Sequence, residues 1–238
     1  MDDKFFQVYN VPSEGTLAKT FMANVFMWMG GALATSAIVA WFFSQNAAFL
    51  SLMVTETGLS VFGYAVMFAP LGFVLALSFG WQRFSLSTIM GLFIAYAVIN
   101  GLSLSFIFLV YSLGSIASIF AVSAAMFSLM AVLGYTTKTD LTAFGSLMMM
   151  ALFGIIIASV VNFFLKSDAM SYAISFIAVL VFTGLTAYDV QKLKYIGMTS
   201  NNDGMTMRKV AIMGALELYL DFINLFLALL RLFGGRKD

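Results

Sequence analysis

Seven stretches of this sequence are each long and apolar enough to cross a lipid bilayer, and nothing else in the chain constrains its fold so strongly. A helix spanning a hydrocarbon core of about 30 Å needs about 20 mostly apolar residues. Lipid offers no partner to backbone N–H and C=O groups, so a spanning segment must satisfy them itself, as a helix does. The stretches fall approximately at 21–43, 59–79, 87–111, 115–134, 144–165, 171–191 and 210–233. The expected fold class is therefore all-α: a polytopic membrane protein whose single domain, 21–238, holds seven transmembrane helices. The connections are short, and SQNAAF, GWQRFS and GYTTKTDLT carry breakers or polar clusters, so an extramembrane domain has no room.

Ahead of the first stretch stands MDDKFFQVYNVPSEGTLAKT, residues 1–20, mixed in charge and unlike the short basic start of a signal peptide. It is read as a retained cytoplasmic lead. With that end inside, the inner segments hold Lys4, Lys19, Arg83, Lys138, Lys192, Lys194, Arg208 and Lys209, while the outer loops hold only Lys166, as the positive-inside rule requires. The tail is open: Arg231, Arg236 and Lys237 lie outside if the seventh stretch crosses, and inside if it dips in and returns. The expected location is a membrane, with the N-terminus on its cytoplasmic side and the lipid bilayer as the first partner.

Charged residues make up 10% of the chain against about 25% in an ordinary globular protein, and the net charge of +1 provides no basic footprint for nucleic acid. Cysteine and histidine are both absent. That removes disulfides, thiol nucleophiles, His- or Cys-based metal and haem sites, and every Ser-His mechanism, and no cofactor is expected. A chain without histidine that responds to pH near neutrality must use carboxylates shifted by their surroundings.

Three acids lie within or at the edge of apolar stretches: Asp189 near the end of the sixth, and Glu217 and Asp221 in the seventh. An acid near the middle of a membrane helix costs about 2.5–3.5 kcal/mol on insertion scales, so its retention asks for a reason. At 100° per residue Glu217, Asp221 and Asn224 fall within about 60° of one another on one face, with Arg231 near the same line. In the sixth stretch Ser175, Ala178, Thr186 and Asp189 share a face about 80° wide. Two polar stripes on consecutive helices are placed to face each other. Structural readings stand beside the functional one: Asp189 reaching water at the membrane edge beside Lys192 and Lys194, Asp221 protonated and bonded to a neighbouring helix, Glu217 wet, and Arg231 snorkelling to the interface. No Lys or Arg stands in mid-span to pair with these acids. Small residues such as Gly30, Gly31, Ala32, Ala34, Gly91, Ala95 and Gly101 are read as helix-packing positions, and the 17 Met and 26 Phe as packing or lipid-facing bulk.

The stretches GLTAYDVQKLK (184–194), LYLDFINLFLALLRLFG (218–234) and GYTTKTDL (134–141) resemble the Bax inhibitor-1 family, also called the transmembrane Bax inhibitor motif proteins. The resemblance implies a seven-helix bundle with the last helix central, wrapped by the other six, and a pH-sensitive calcium leak as its activity. It implies that Asp189 and Asp221 share a proton as the sensor and line the ion path, with calcium passing near them, and that Arg83 pairs with Asp189 as a gating latch. Glu217, Asn224 and Thr186 are secondary candidates from the polar stripes. Spacing by itself puts Asp189 shallow and Asp221 considerably deeper, so for the two to meet the sixth helix must extend past the bilayer edge, or the seventh must tilt or begin late.

Two other functions are open. One is a membrane-embedded regulator that binds and restrains another membrane protein, such as a protease, through its N-terminus or helix surfaces. The other is an intramembrane aspartyl protease, for which a Tyr-Asp and a second Asp on consecutive helices would supply the dyad. Here LYLD stands where that chemistry expects Gly-x-Gly-Asp, and no Pro-Ala-Leu follows.

Overall fold

In hydrocarbon each apolar stretch winds into a helix, and the polar residue at its boundary decides where the helix starts. The computed structural model describes residues 14–55, 58–199 and 204–237. Helix α1 (Glu14–Ser44) leads to the short α2 (Ala47–Met53) and a two-residue antiparallel pair, β1 (Val54–Thr55) and β2 (Gly58–Leu59). Then follow α3 (Val61–Gly80), α4 (Leu86–Leu104), the short α5 (Ile107–Val110), α6 (Leu113–Thr136), α7 (Thr142–Leu165), α8 (Asp168–Thr199) and α9 (Gly204–Phe233). Side-chain caps fix five of the starts: Asn46 accepts from the Phe49 amide at 3.0 Å, Ser60 from Gly63 at 2.9 Å, Ser85 from Thr88 at 3.2 Å, Ser112 from Ser115 at 3.3 Å and Ser167 from Met170 at 3.3 Å.

The chain is a multi-pass membrane protein: seven of its helices, with α4 and α5 forming one span, are long and apolar enough to cross. Three expected boundaries move outward, the first being the start of α1, at Glu14 where 21 was expected. The sixth span runs on to Thr199 and the seventh begins at Gly204, because amphipathic turns that no longer read as apolar continue the same helices. At about 1.5 Å per residue, the 32 residues of α8 and 30 of α9 exceed the bilayer core in length.

Helix α9 is the most deeply buried of the seven spans and packs against α1, α4, α6 and α8, whereas α7 lies against α8 and α3 against α4. The apolar bulk divides accordingly. Met27, Phe79, Met150 and Phe164 face outward, while Met29, Phe93, Phe222 and Phe226 sit in the core. The expected packing role of the glycines holds at Gly101 and is corrected at Gly30, Gly31 and Gly91, which meet open space, while Gly134 adds a close approach that was not expected. At Gly101 a Cβ would stand 2.7 Å from the Ser36 carbonyl oxygen, and at Gly134 it would collide with the Ala187 carbonyl. These two positions let α4 meet α1, and α6 meet α8, backbone to backbone.

A buried polar chain joins three helices. The Asn100 amide of α4 donates to the Tyr219 hydroxyl of α9 at 2.7 Å. Ser36 of α1 donates to the Ala97 carbonyl at 2.7 Å, which leaves the Tyr219 hydroxyl to donate to Ser36 Oγ at 2.6 Å. Each hydroxyl has a partner, as a polar group in a dry interior requires. The Tyr96 and Phe93 rings stand edge-on to Tyr219, with centroids at 5.4 and 6.4 Å.

Helix α9 is unbroken, and its exit is tied down. Residues 234–237 lie along the connection between α5 and α6, with Ser112 N–H donating to the Gly235 carbonyl at 3.1 Å and Lys237 N–H to the Val110 carbonyl at 2.9 Å. Gly235 N–H also donates to Ser115 Oγ at 2.8 Å. At the other end, Lys209 near the start of α9 donates to the Phe84 carbonyl at 2.7 Å, beside the start of α4. The last helix therefore runs the full height of the bundle and does not turn back.

Candidate functional site

Asp189 lies on α8 and Asp221 on α9, and the register of this antiparallel pair brings them together. Gly214, having no side chain, seats Leu193, and Lys192 reaches Glu217 one turn further along α9. The next turn opposes Asp189 to Asp221, with their carboxyls in hydrogen-bond contact. That register carries the first turns of α9 beyond the end of α8, which is how an acid ten residues before Thr199 meets one seventeen residues after Gly204. The difference in depth expected from the sequence is absorbed by the two extended helices.

Access to water falls off along the cluster. The Glu217 and Lys192 side chains are 42% and 37% exposed, Asp189 is 13% exposed, and Asp221 is buried with its Oδ2 lacking any hydrogen-bond partner. The Lys192 ammonium donates to both Glu217 oxygens, at 3.0 and 3.2 Å, and stands 3.7 Å from Asp189 Oδ1. The contact between Asp189 and Asp221 is a hydrogen bond only while one of them carries a proton, since two carboxylates have four acceptors and no donor.

The remaining expected residues are not drawn in. Thr186 Oγ1 donates to the Phe182 carbonyl at 2.8 Å and the Asn224 amide to the Leu220 carbonyl at 2.8 Å, each on its own helix. Arg83 is exposed in the turn between α3 and α4, and the expected latch to Asp189 is not made. Both ion pairs among the described residues belong to Lys192, which one helical turn brings beside Asp189. Arg231 is exposed in the last turn of α9. Among the described residues no group of three or more acids is arranged to hold a metal ion. The expected N-terminal binding arm falls largely on residues 1–13, outside the described residues.

A family model described as "Inhibitor of apoptosis-promoting Bax1" matches residues 18–238. The chain belongs to the Bax inhibitor-1 family. It is 49% identical over 220 residues to "Inner membrane protein YbhL" of Escherichia coli strain K12, covering 92% of this chain and 93% of that one. It is 43% identical to "Uncharacterized protein RP147" of Rickettsia prowazekii, over 92% of this chain and 91% of that one. It is 41% identical to an "Uncharacterized protein" of Borreliella burgdorferi, over 92% and 93%.

In this Bax inhibitor-1 chain the stretches 134–141 and 184–194 interlock. Gln191 accepts from the Leu141 amide and donates to the Thr139 carbonyl, both at 2.8 Å. Lys194 donates to the Tyr135 carbonyl at 2.8 Å, its ammonium 4.8 Å from the centre of the Tyr135 ring. Two basic or amide side chains that follow Asp189 thus anchor the last turns of α8 to the end of α6 and to the connection after it, and Asp189 with them. Reading the sequence assigned none of this to the site; the i,i+3 spacing of Asp189 and Lys192 was the available signal. Asp140 in the same connection accepts from the Thr142 amide at 2.9 Å and hydroxyl at 2.6 Å, and these bonds hold its carboxyl below the usual range. A cavity of about 700 Å³ between α1, α4, α8 and α9, lined by Asn24, Trp28, Met90 and Arg208 among others, includes none of the three acids.

Proposed function

We propose that the protein is a proton-regulated cation leak of the bacterial inner membrane, with calcium as the permeant ion and Asp189 and Asp221 as its sensor. The reading is carried by the contact between these two carboxyls, one of them buried with an unpartnered oxygen. Two carboxylates in contact cannot both ionise cheaply, so the pair holds one proton in common and titrates as a unit. Loss of that proton adds a negative charge, which attracts a cation and drives α8 and α9 apart at this level. Calcium, a hard ion taking 6–8 oxygen ligands, suits carboxylates supplemented by backbone carbonyls and water, and a conducting site must hold it loosely.

On this reading the side chains beyond Asp221 form the closed gate. Beyond Asp221 the α9 side chains Phe222, Leu225, Phe226, Leu229 and Leu230 are buried, with the Phe120 ring at 5.3 and 5.9 Å from Phe222 and Phe226. A cation passes only when these side chains part, so the charge on the acid pair acts as the trigger and movement of α9 against α6 and α8 as the gate. The end bearing Lys138, Lys192 and Arg208 is taken as cytoplasmic from the distribution of Lys and Arg. The name of the Escherichia coli relative supports the inner membrane.

The test is calcium flux into liposomes holding only this protein, across pH 5 to 8. The wild type is expected to change its flux within that range, and Asp189→Asn and Asp221→Asn each to flatten the profile. Flux that is the same in all three proteins at every pH overturns the reading.

A further inference from the structure

We propose that Lys192, clamped by Glu217, is a built-in counter-cation of the acid pair: its ammonium occupies the water-side mouth of the site and passes from Glu217 to Asp189 when the shared proton leaves. This rests on the proton-sharing reading above. The geometry shows an ammonium already between two acceptors, with two hydrogen bonds to Glu217 at 3.0 and 3.2 Å and Asp189 Oδ1 at 3.7 Å. A shift of under about 1 Å brings Asp189 into hydrogen-bond range.

The charges are few enough to name. Asp189 is acted on by Glu217 and Asp221 from α9 and by Lys192 from its own helix. Lys192 is acted on by Glu217, Asp189 and the Tyr188 hydroxyl. Of the other elements packed on α8, α7 carries no titratable side chain and α6 brings only Tyr135, which Lys194 covers. Helix α1 brings Lys19, which lies beside Tyr135. With one proton on the aspartates, two negative charges, one on Glu217 and one shared by the pair, face one ammonium. Glu217, the more exposed acceptor, then holds Lys192. Once the proton leaves, the aspartates carry two charges in a drier place, where attraction to the same ammonium is stronger. Lys192 is therefore a positioning residue that acts through Asp189, and Glu217 is its alternative seat. The pairing also explains how Asp189 does without Arg83.

Removing either member is expected to displace the titration of the aspartates in opposite directions. Lys192→Gln takes away the cation, so the pair should keep its proton to higher pH, by about 1 unit, the low end of what an adjacent opposite charge contributes. Glu217→Gln takes away a negative charge and frees Lys192 for Asp189, so the proton should leave at lower pH. Lys192→Arg keeps the charge and should stay near the wild type. The experiment follows the infrared carbonyl absorption of the protonated carboxyl across pH 4 to 9, on the full chain in lipid nanodiscs. Asp221→Asn serves to assign the band. Opposite displacements with rescue by arginine support the proposal. Displacements in one direction, or none in either variant, overturn it. Because no flux is measured, a wild type that titrates as stated yet passes no calcium would sink the leak and leave the role of Lys192 standing.

Discussion

Tyr219 carries no charge, yet two residues before Asp221 it fixes how α9 sits against α1 and α4. Its hydroxyl closes the chain from Asn100 to Ser36, and all three side chains are buried. Tyr219→Phe keeps the ring contacts and strands the Asn100 amide, at an expected cost of about 1–3 kcal/mol. A lowered unfolding midpoint in detergent, with the carboxyl titration of the aspartates unmoved, is the expected result. Asp140 makes a separate prediction outside the membrane. The Thr142 bonds lower its folded-state pKa, so the stability it contributes is complete above its unfolded value of about 3.9 and is lost as pH falls through the lowered folded value. Thermal unfolding of the wild type and Asp140→Asn should differ near pH 6 and converge toward pH 2. A difference that persists at pH 2 would contradict this account of the bonds from Thr142 to Asp140.

Among the elements, α8 decides where the acids meet. It is held on one side by Gly214 and Leu193 against α9, and on another by the backbone approach at Gly134 and the Gln191 bonds to residues 139–141. Gly134→Val sets a side chain against the Ala187 carbonyl and must push α6 away from α8, at about 1–3 kcal/mol for overpacking. Gln191→Ala is milder and local. Since Gln191 is the acceptor of the Leu141 amide, hydrogen exchange at Leu141 should accelerate in the variant while amides in mid-α8 remain protected. The candidate site was legible in the sequence as far as the acids went, because a carboxylate in an apolar run stands out whatever surrounds it. The partner of Asp189 was not legible. Lys192 reads as a residue of the membrane edge until α8 is seen to continue to Thr199 and Glu217 is seen to face it.

For the whole molecule, the docking of residues 234–237 on the connection before α6 sets the two ends of α9 at opposite faces of the membrane. The sequence has no cysteine, so single replacements Lys138→Cys and Lys237→Cys can be labelled without background. An impermeant thiol reagent should reach them from opposite sides of a sealed vesicle; labelling from the same side would refute a full crossing. Seven spans and their boundaries at most ends were determined by the sequence itself, because length and hydropathy are local properties and lipid accepts any helix that satisfies its own backbone. Which spans are interior was not. Helix α7 and helix α9 are both apolar enough to cross, yet α7 leaves its apolar window open to lipid while α9 is buried on most of its surface. Lipid tails are as apolar as the leucines they touch, so no hydrophobic contrast marks the inward face of a membrane helix. Only the tertiary structure chose it, through close backbone approaches, the Tyr219 hydrogen bonds, and the register that seats Asp189 opposite Asp221.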